Sequence, residues 1–89
     1  MIKEKELYLK AKKGLSEIEN AIIELLKIHP NGLTNTEIAN ILGLSSIHEG
    51  GQKDYLTYSV LGNLMDRSVI IKDRSGNRPK YLLTIIVNK

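Results

Sequence analysis

Four basic side chains lie close together near the C-terminal end of this 89-residue chain, where they could bind a polyanion: Lys72, Arg74, Arg78 and Lys80. Lysine and arginine neutralise the phosphates of nucleic acids. The segment before them, residues 52–66, has helical periodicity and offers amide, phenol and hydroxyl groups suited to the edges of bases. Together, the two segments predict binding of double-stranded DNA.

The side chains of these segments divide into two roles. Lys53 joins the four cations above as a candidate for phosphate contacts, while Gln52, Tyr55 and Ser59 are candidates for base contacts. Glutamine is a suitable partner for adenine, and Tyr55 could pack on a thymine methyl group or reach a phosphate. Each residue also has a structural interpretation: Gln52 as a helix cap, Tyr55 as cover for a core edge, and the arginines as solubilising charges. The arrangement as a whole favours nucleic acid more than any single residue does.

Residue types needed for catalysis or metal binding form no recognisable constellation in this sequence. There is no cysteine, and the two histidines are far apart: His29 ends a predicted helix, where a cation complements the helix dipole, and His48 is expected to be solvated. Gly50 and Gly51 lack the Lys-Ser or Lys-Thr that follows in a phosphate-binding loop. We therefore expect no enzyme, no metal site and no cofactor.

The composition predicts a single cytoplasmic domain. A chain of this length with 42% hydrophobic residues can bury one modest core, and no apolar run could cross a bilayer or serve as a signal peptide, so no membrane partner is expected. The net charge of +3 is unevenly distributed. Residues 1–14 carry five lysines and two glutamates, residues 67–89 carry six basic residues and one aspartate, and residues 15–66 are acidic on balance. A polyanion held by the two ends would experience a favourable field that the total charge hides.

One helix is predicted in the first third of the chain after Gly14, and the residues before Gly14 are predicted as a second helix or an arm. Residues 2–13 form either a short amphipathic helix or a basic arm, and Gly14 interrupts the pattern. Residues 16–19 read Ser-Glu-Ile-Glu, a capping box that predicts a new helix start, and Pro30 predicts its end. The expected organisation is therefore an arm or helix over residues 1–14 and a domain over residues 15–89.

A further helix is predicted after Thr34, with two independent signals for its start. Thr34 and Glu37 are spaced as a capping box, and the apolar pair flanking it, Leu33 and Ile38, is spaced as a hydrophobic staple. A minimal strand near Leu33 is also expected. Gly43 predicts the helix end. The side chains expected to point inward are Ile38, Ala39, Ile41 and Leu42.

The last predicted helix, residues 52–66, follows a nine-residue connection over residues 43–51 and has two distinct faces. The apolar face collects Leu56, Val60, Leu61, Leu64 and Met65, with Tyr58 at its edge. The opposite, nearly uncharged face collects Gln52, Tyr55, Ser59, Gly62, Asn63 and Asp66.

A β-hairpin is predicted at the C-terminal end. Residues 69–71 and 81–85 are rich in strand-forming residues, and Gly76-Asn77 between them is typical of a two-residue hairpin turn. Placing that pair at the tip sets Asp73 opposite Lys80, Lys72 opposite Tyr81, and Ile71 opposite Leu82. The predicted fold class is α+β: a winged helix with a three-helix core, a C-terminal hairpin wing and an extra N-terminal helix or arm.

Two stretches resemble known DNA-binding families. Residues 32–39 and 42–44 resemble the first half of helix-turn-helix domains, whose second helix often reads Thr or Asn, x, x, Glu-Ile-Ala. Residues 51–59 and 78–81 resemble the winged-helix modules attached to some bacterial and archaeal restriction endonucleases. The resemblance covers about residues 15–84, with a longer second connection than is typical of the helix-turn-helix pattern.

The resemblance implies that the ligand is duplex DNA, that the helix over residues 52–66, the third of the core, lies in the major groove, and that binding is sensitive to base methylation. In such endonucleases a separate domain cuts DNA, and this sequence contains no Pro-Asp followed by a spaced acidic-x-Lys motif. Transcriptional regulation is the expected use, with restriction-modification second. One alternative is a protein-interaction module that uses Tyr55 and Tyr58, and another is a homodimer formed through residues 1–13 or 85–87.

Overall fold

The first helix, α1, runs without interruption from Glu4 to Lys27 in the computed structural model, which describes residues 3–46 and 54–87. The prediction that Gly14 ends one helix and that Ser16 begins another is wrong. A glycine inside a helix costs about 1 kcal/mol relative to alanine, which good helix formers on both sides can offset. Within a continuous helix, the amides after Ser16 already have carbonyl partners, so no free donor remains for a cap. The predicted boundary at residue 14 therefore falls inside α1, and the helix ends before Pro30 as expected.

The second helix, α2, extends from Asn35 to Leu42 and has the predicted capping box. The Thr34 hydroxyl accepts from the Glu37 amide at 3.2 Å, and the Glu37 carboxylate accepts from the Thr34 amide at 2.8 Å. At the other end Gly43 adopts the left-handed conformation, with φ of 71°. Ile41 was expected to point inward but is 53% exposed, because this short helix buries only the narrow side that carries Ile38 and Ala39.

The third helix, α3, extends from Tyr55 to Asp66. Its inward face carries Val60, Leu61 and Leu64 as predicted and differs from the prediction in its first turn. Thr57 is fully buried, whereas Leu56, predicted to be buried, is 45% exposed. Thr57 can lie in the core because its hydroxyl donates to the Asp54 carbonyl at 3.0 Å, which satisfies the buried polar group. The predicted start at Gln52 lies outside the described residues.

Two antiparallel strands, β1 (Ile70–Asp73) and β2 (Lys80–Leu83), form the predicted hairpin. All three predicted pairs are confirmed: Asp73 with Lys80, Lys72 with Tyr81, and Ile71 with Leu82. The prediction of a tight two-residue turn is wrong, since residues 74–79 form a longer loop. A type I′ turn needs positive φ at both central residues, and neither Gly76 nor Asn77 has it. Instead, the Asp73 carboxylate accepts from the Ser75 amide at 2.9 Å, which turns the chain away from the strand earlier.

The chain on either side of β2 joins the hairpin to the helices. Leu33 forms an isolated antiparallel bridge with Tyr81, which confirms the expected minimal strand. After Leu83 the chain forms one helical turn, α4 (Thr84–Val87), where the sequence predicted a continued strand. The Thr84 amide donates to the Val69 carbonyl at 3.1 Å. This is the last hydrogen bond between the two chain segments of the hairpin before α4 begins. Ile85 is 75% exposed, and the side chains of residues 86 and 87 lie outside the described part of the chain.

One hydrophobic core joins α1, α2, α3 and the hairpin. It contains the buried apolar side chains of three helices, the bridge residue and the hairpin: Ile22, Leu25, Leu26, Leu33, Ile38, Val60, Leu61, Leu64, Ile70, Tyr81 and Leu83. At the edge of the core, Arg67 donates to Glu19 at 2.7 Å and connects the end of α3 to α1. The fold is α+β, as predicted. No helix within residues 3–46 and 54–87 is both long and apolar enough to cross a membrane.

Candidate nucleic-acid interface

An open groove of about 460 Å³ lies between the start of α2, the middle of α3 and the hairpin. Its lining includes two cations, Lys72 and Arg78, and no acidic side chain. The other lining residues are Thr34, Asn35, Thr36, Tyr58, Pro79 and Tyr81. Among the described residues neither cation forms an ion pair. The groove, which we call the cationic groove, can therefore attract an anion without competition from a carboxylate on its wall.

Lys72 is oriented by two tyrosine rings. Its ammonium lies 5.5 Å from the ring centroid of Tyr58 and 5.5 Å from that of Tyr81. The hairpin register explains the second contact, because paired residues of antiparallel strands have neighbouring side chains. Cation–π attraction restrains the position of the charge but leaves the ammonium donors available for a ligand.

A second depression adjoins the cationic groove and shares Arg78 and two threonines with it. Here Lys80 faces carboxylates. The positive charge of Lys80 contributes to lowering the pKa of both Glu37 and Asp73, although the main causes are hydrogen bonds to backbone amides, of Thr34 and Ser75 respectively. Glu37 lines this depression together with Lys80, so the positive potential there is lower than in the cationic groove, although Lys80 forms no ion pair among the described residues.

The outward face of α3 is exposed, as predicted. Tyr55 is 54% exposed and Tyr58 is 50% exposed, while Ser59, Asn63 and Asp66 are also exposed. Tyr55, Tyr58 and Ser59 share one side of the helix because they are three or four residues apart. Tyr58 also lines the cationic groove, so it forms the border between the helix face and the groove. The two surfaces are therefore contiguous.

Asp54 fixes the start of α3 and is a residue that sequence analysis missed. It is 1% exposed and has a φ of 58°. Its carboxylate accepts from the Ser46 amide at 3.1 Å, and its carbonyl accepts from the Asn35 side chain at 3.2 Å. An aspartate before a helix usually caps it, but this side chain binds the preceding connection instead. Asp54 thereby connects α3 to the start of α2, which forms one wall of the cationic groove.

The predicted site residues fall into five groups. Lys72 and Arg78 line the cationic groove, Tyr55 and Ser59 lie on the contiguous helix face, and Lys80 lines the second depression. Arg74 is exposed in the hairpin loop but lines neither depression. Gln52 and Lys53 lie outside the described residues, as do His48, Gly50 and Gly51.

Tyr58, Thr34 and Thr36 are groove residues that sequence analysis did not group. Thr34 and Thr36 lie at the start of α2 and Tyr58 lies in α3, and the packing of these two helices brings them together. The sequence indicated the role of Tyr58 only in part: a side chain at the edge of the apolar face of α3 can contact a neighbouring element.

Comparisons with protein-family models, with curated proteins and with solved structures found no match. Within the described residues, no group of three histidine, aspartate or glutamate side chains could hold a metal ion.

Proposed function

We propose that this protein is a winged-helix domain that binds double-stranded DNA. The order of elements supports this assignment: helices α1, α2 and α3 are followed by an antiparallel hairpin that packs beside α3. In such a layout α3 enters the major groove and the hairpin loop reaches the flanking phosphates. Transcriptional regulation is the use we propose first, and a restriction-modification system is second.

The contiguity of the nearly uncharged α3 face with the cationic groove carries the proposal. DNA recognition needs polar groups on a rigid element for base edges and cations for phosphates. Tyr55 and Ser59 supply the first kind of group, and Lys72 and Arg78 supply the second. Tyr58 borders both surfaces, so one duplex can contact them together.

The dependence of DNA affinity on salt tests this proposal. Each phosphate contact contributes about one unit to the slope of log affinity against log salt concentration. We expect the double variant Lys72→Gln/Arg78→Gln to reduce that slope by about two units, because both cations of the groove are removed while side-chain bulk is retained. The measurement is a titration of a labelled random duplex at several salt concentrations.

The matched control is the double variant Lys27→Gln/Arg67→Gln, which has the same net charge as the test variant. Both control cations form ion pairs, Lys27 with Glu24 and Arg67 with Glu19. Its slope should equal that of the wild type. An unchanged slope in the test variant would remove the cationic groove from the DNA contact. Failure of the wild type to bind duplexes even at low salt would refute DNA binding altogether.

A protein-interaction module is the second candidate, and the exposed residues at the start of α3 favour it. Tyr55 and Leu56 are 54% and 45% exposed, next to Tyr58 at 50%. Exposed aromatic side chains are common at the centres of protein interfaces. Selection from random duplexes at moderate salt separates the candidates. Enrichment of a sequence requires base recognition, whereas uniform weak retention leaves only attraction to the DNA backbone.

A further inference from the structure

The N-terminal half of α1 carries an apolar surface that no other element of the described chain covers; the Lys12 ammonium of the same helix lies 5.9 Å from the centroid of the Tyr8 ring. Every residue from 3 to 14 is exposed, including Leu7 at 51% and Tyr8 at 60%. The C-terminal half of the same helix behaves differently, because Ile22 and Leu26 are fully buried. One helix thus has a buried half and an exposed half.

The exposed apolar residues continue the face that α1 turns toward the core. Leu7 and Ala11 precede Leu15, Ile18 and Ile22 at spacings of three or four residues. An α-helix completes a turn in about 3.6 residues, so all five side chains project from one side. Leu15 and Ile18 already pack against the core. The exposed part, which we call the α1 apolar face, comprises Leu7, Tyr8 and Ala11.

An uncovered helical segment of this length is only marginally stable by itself. It extends from the packed half of α1, which supplies the helix nucleus, but propagation through exposed residues contributes little stability, and Gly14 lowers helix stability by about 1 kcal/mol relative to alanine. Covering the α1 apolar face would stabilise the segment through burial of Leu7 and Tyr8. The face is therefore suited to a partner that presents a similar narrow apolar surface.

We propose that the α1 apolar face binds the same face of a second copy of this chain, with the two helices antiparallel. Glu4 lies in line with the face at its N-terminal end, and Lys12 flanks the face one turn beyond Tyr8. A two-fold axis near Tyr8 brings Glu4 of each copy level with Lys12 of the other. Parallel helices would instead set Glu4 against Glu4. One patch that carries both charges is complementary to itself, as a two-fold interface requires.

The contact should be weak and dependent on protein concentration. Stable complexes bury more than about 1,000 Å² in total, and two short helical faces provide less. The wild type is therefore expected to shift from monomer to dimer as its concentration rises toward about 1 mM.

Analytical ultracentrifugation of the full chain without DNA tests the surface. We expect Leu7→Ser to weaken dimerisation about tenfold or more, because each dimer loses two buried leucine side chains. Leu9→Ser is the matched control: Leu9 is 55% exposed in the same segment but lies on the opposite side of the helix, two residues from Leu7. It should change the dimer dissociation constant by less than about twofold. Circular dichroism of both variants verifies that α1 remains helical.

A charge exchange tests the antiparallel orientation. Glu4→Lys alone and Lys12→Glu alone each place like charges at both ends of the homodimer, so each should dimerise about three- to tenfold more weakly than the wild type. A mixture of the two variants restores opposite charges at both ends, and it should form the heterodimer selectively. Equal dimerisation of the mixture and of the separate variants would overturn the antiparallel arrangement.

A wild type that remains monomeric throughout the concentration range would overturn the proposal, as would equal effects of Leu7→Ser and Leu9→Ser. These outcomes are independent of DNA binding, because the sample contains none. An unchanged salt slope would therefore count against DNA binding through the cationic groove and leave the dimer proposal unaffected. A monomeric wild type would count against the dimer and leave the DNA-binding proposal unaffected.

Discussion

Lys72 shows how the groups around a lysine determine whether its positive charge is available to bind a ligand. Its ammonium lies 5.5 Å from the centroids of two tyrosine rings, whereas Lys80, on the neighbouring strand, lies in a depression that Glu37 also lines. The sequence assigned both lysines the same role. Because the field at each site is the sum over all nearby charges, the uncompensated Lys72 is the stronger candidate for a phosphate contact.

Glu37 gives the stability of the protein a predictable pH dependence. The Thr34 amide donates to its carboxylate at 2.8 Å and holds the pKa of Glu37 below its ordinary value of 4.5. A carboxylate whose pKa is lower in the folded state stabilises that state above pH 4.5, and the contribution is lost as the pH falls through the lowered pKa.

We therefore expect Glu37→Gln to be less stable than the wild type at neutral pH and equally stable in strong acid. Urea unfolding at about pH 7 and about pH 2 measures the difference, which should shrink as the carboxylate becomes protonated. Glu17→Gln is the control, since Glu17 is exposed and has no hydrogen-bonding partner among the described residues. A difference for Glu37→Gln that persists unchanged in acid would contradict the role of the charge.

At the scale of elements, α1 and α2 show how unequal signals decide a helix boundary. At Thr34 the capping box coincides with a glycine turn and a β-bridge, so the helix has to start there. At Ser16 the same kind of motif follows a stretch that is already helical, and the helix continues through it. A capping box defines the start of a helix only where the residues before it are not helical.

Two glycines should respond in opposite ways to alanine. Nothing lies within 4 Å of a β-carbon added at Gly14, so Gly14→Ala should stabilise the protein by about 0.5–1 kcal/mol through helix propensity. Gly32 has φ of 88°, and an added β-carbon would lie 2.9 Å from Leu82 and 3.0 Å from the Tyr81 carbonyl oxygen. Gly32→Ala should therefore destabilise it by about 1–3 kcal/mol.

Thermal and urea unfolding of the two variants measures both effects. Dilute protein keeps the self-association proposed for α1 from contributing. A loss of stability in Gly14→Ala would mean that α1 is not a continuous helix at that position.

For the molecule as a whole, Tyr81 connects the parts that form the interface. Its ring is 2% exposed in the core, it contacts Lys72, and its backbone exchanges hydrogen bonds with Leu33 at 2.7 and 3.2 Å. The wall of the cationic groove and the packing of the core thus depend on the same residue.

We expect Tyr81→Ala to destabilise the fold by about 3–5 kcal/mol, which is a large part of the stability of a small domain. Tyr81→Phe keeps the buried ring and should change stability by less than about 0.5 kcal/mol, since the hydroxyl has no hydrogen-bonding partner among the described residues. Urea unfolding followed by circular dichroism measures both. Similar losses in the two variants would indicate that the hydroxyl, and not the ring, stabilises the core.

The sequence by itself determined the local features of this protein. It predicted the start of α2, the register of the hairpin, the exposed face of α3 and the α+β class, because capping, cross-strand pairing and apolar periodicity act between residues near each other in the chain. Its errors at Gly14, Ser16 and the hairpin tip share one cause: each local signal competed with the conformation of the neighbouring chain.

Only the tertiary structure decided which charges are available and which surfaces join. It paired Arg67 with Glu19, set Lys80 near two carboxylates and placed Tyr58 against Lys72. It also left the first half of α1 without cover. Electrostatic fields and grooves depend on distances between residues remote in sequence, and those distances are set by how the helices and the hairpin pack around one core.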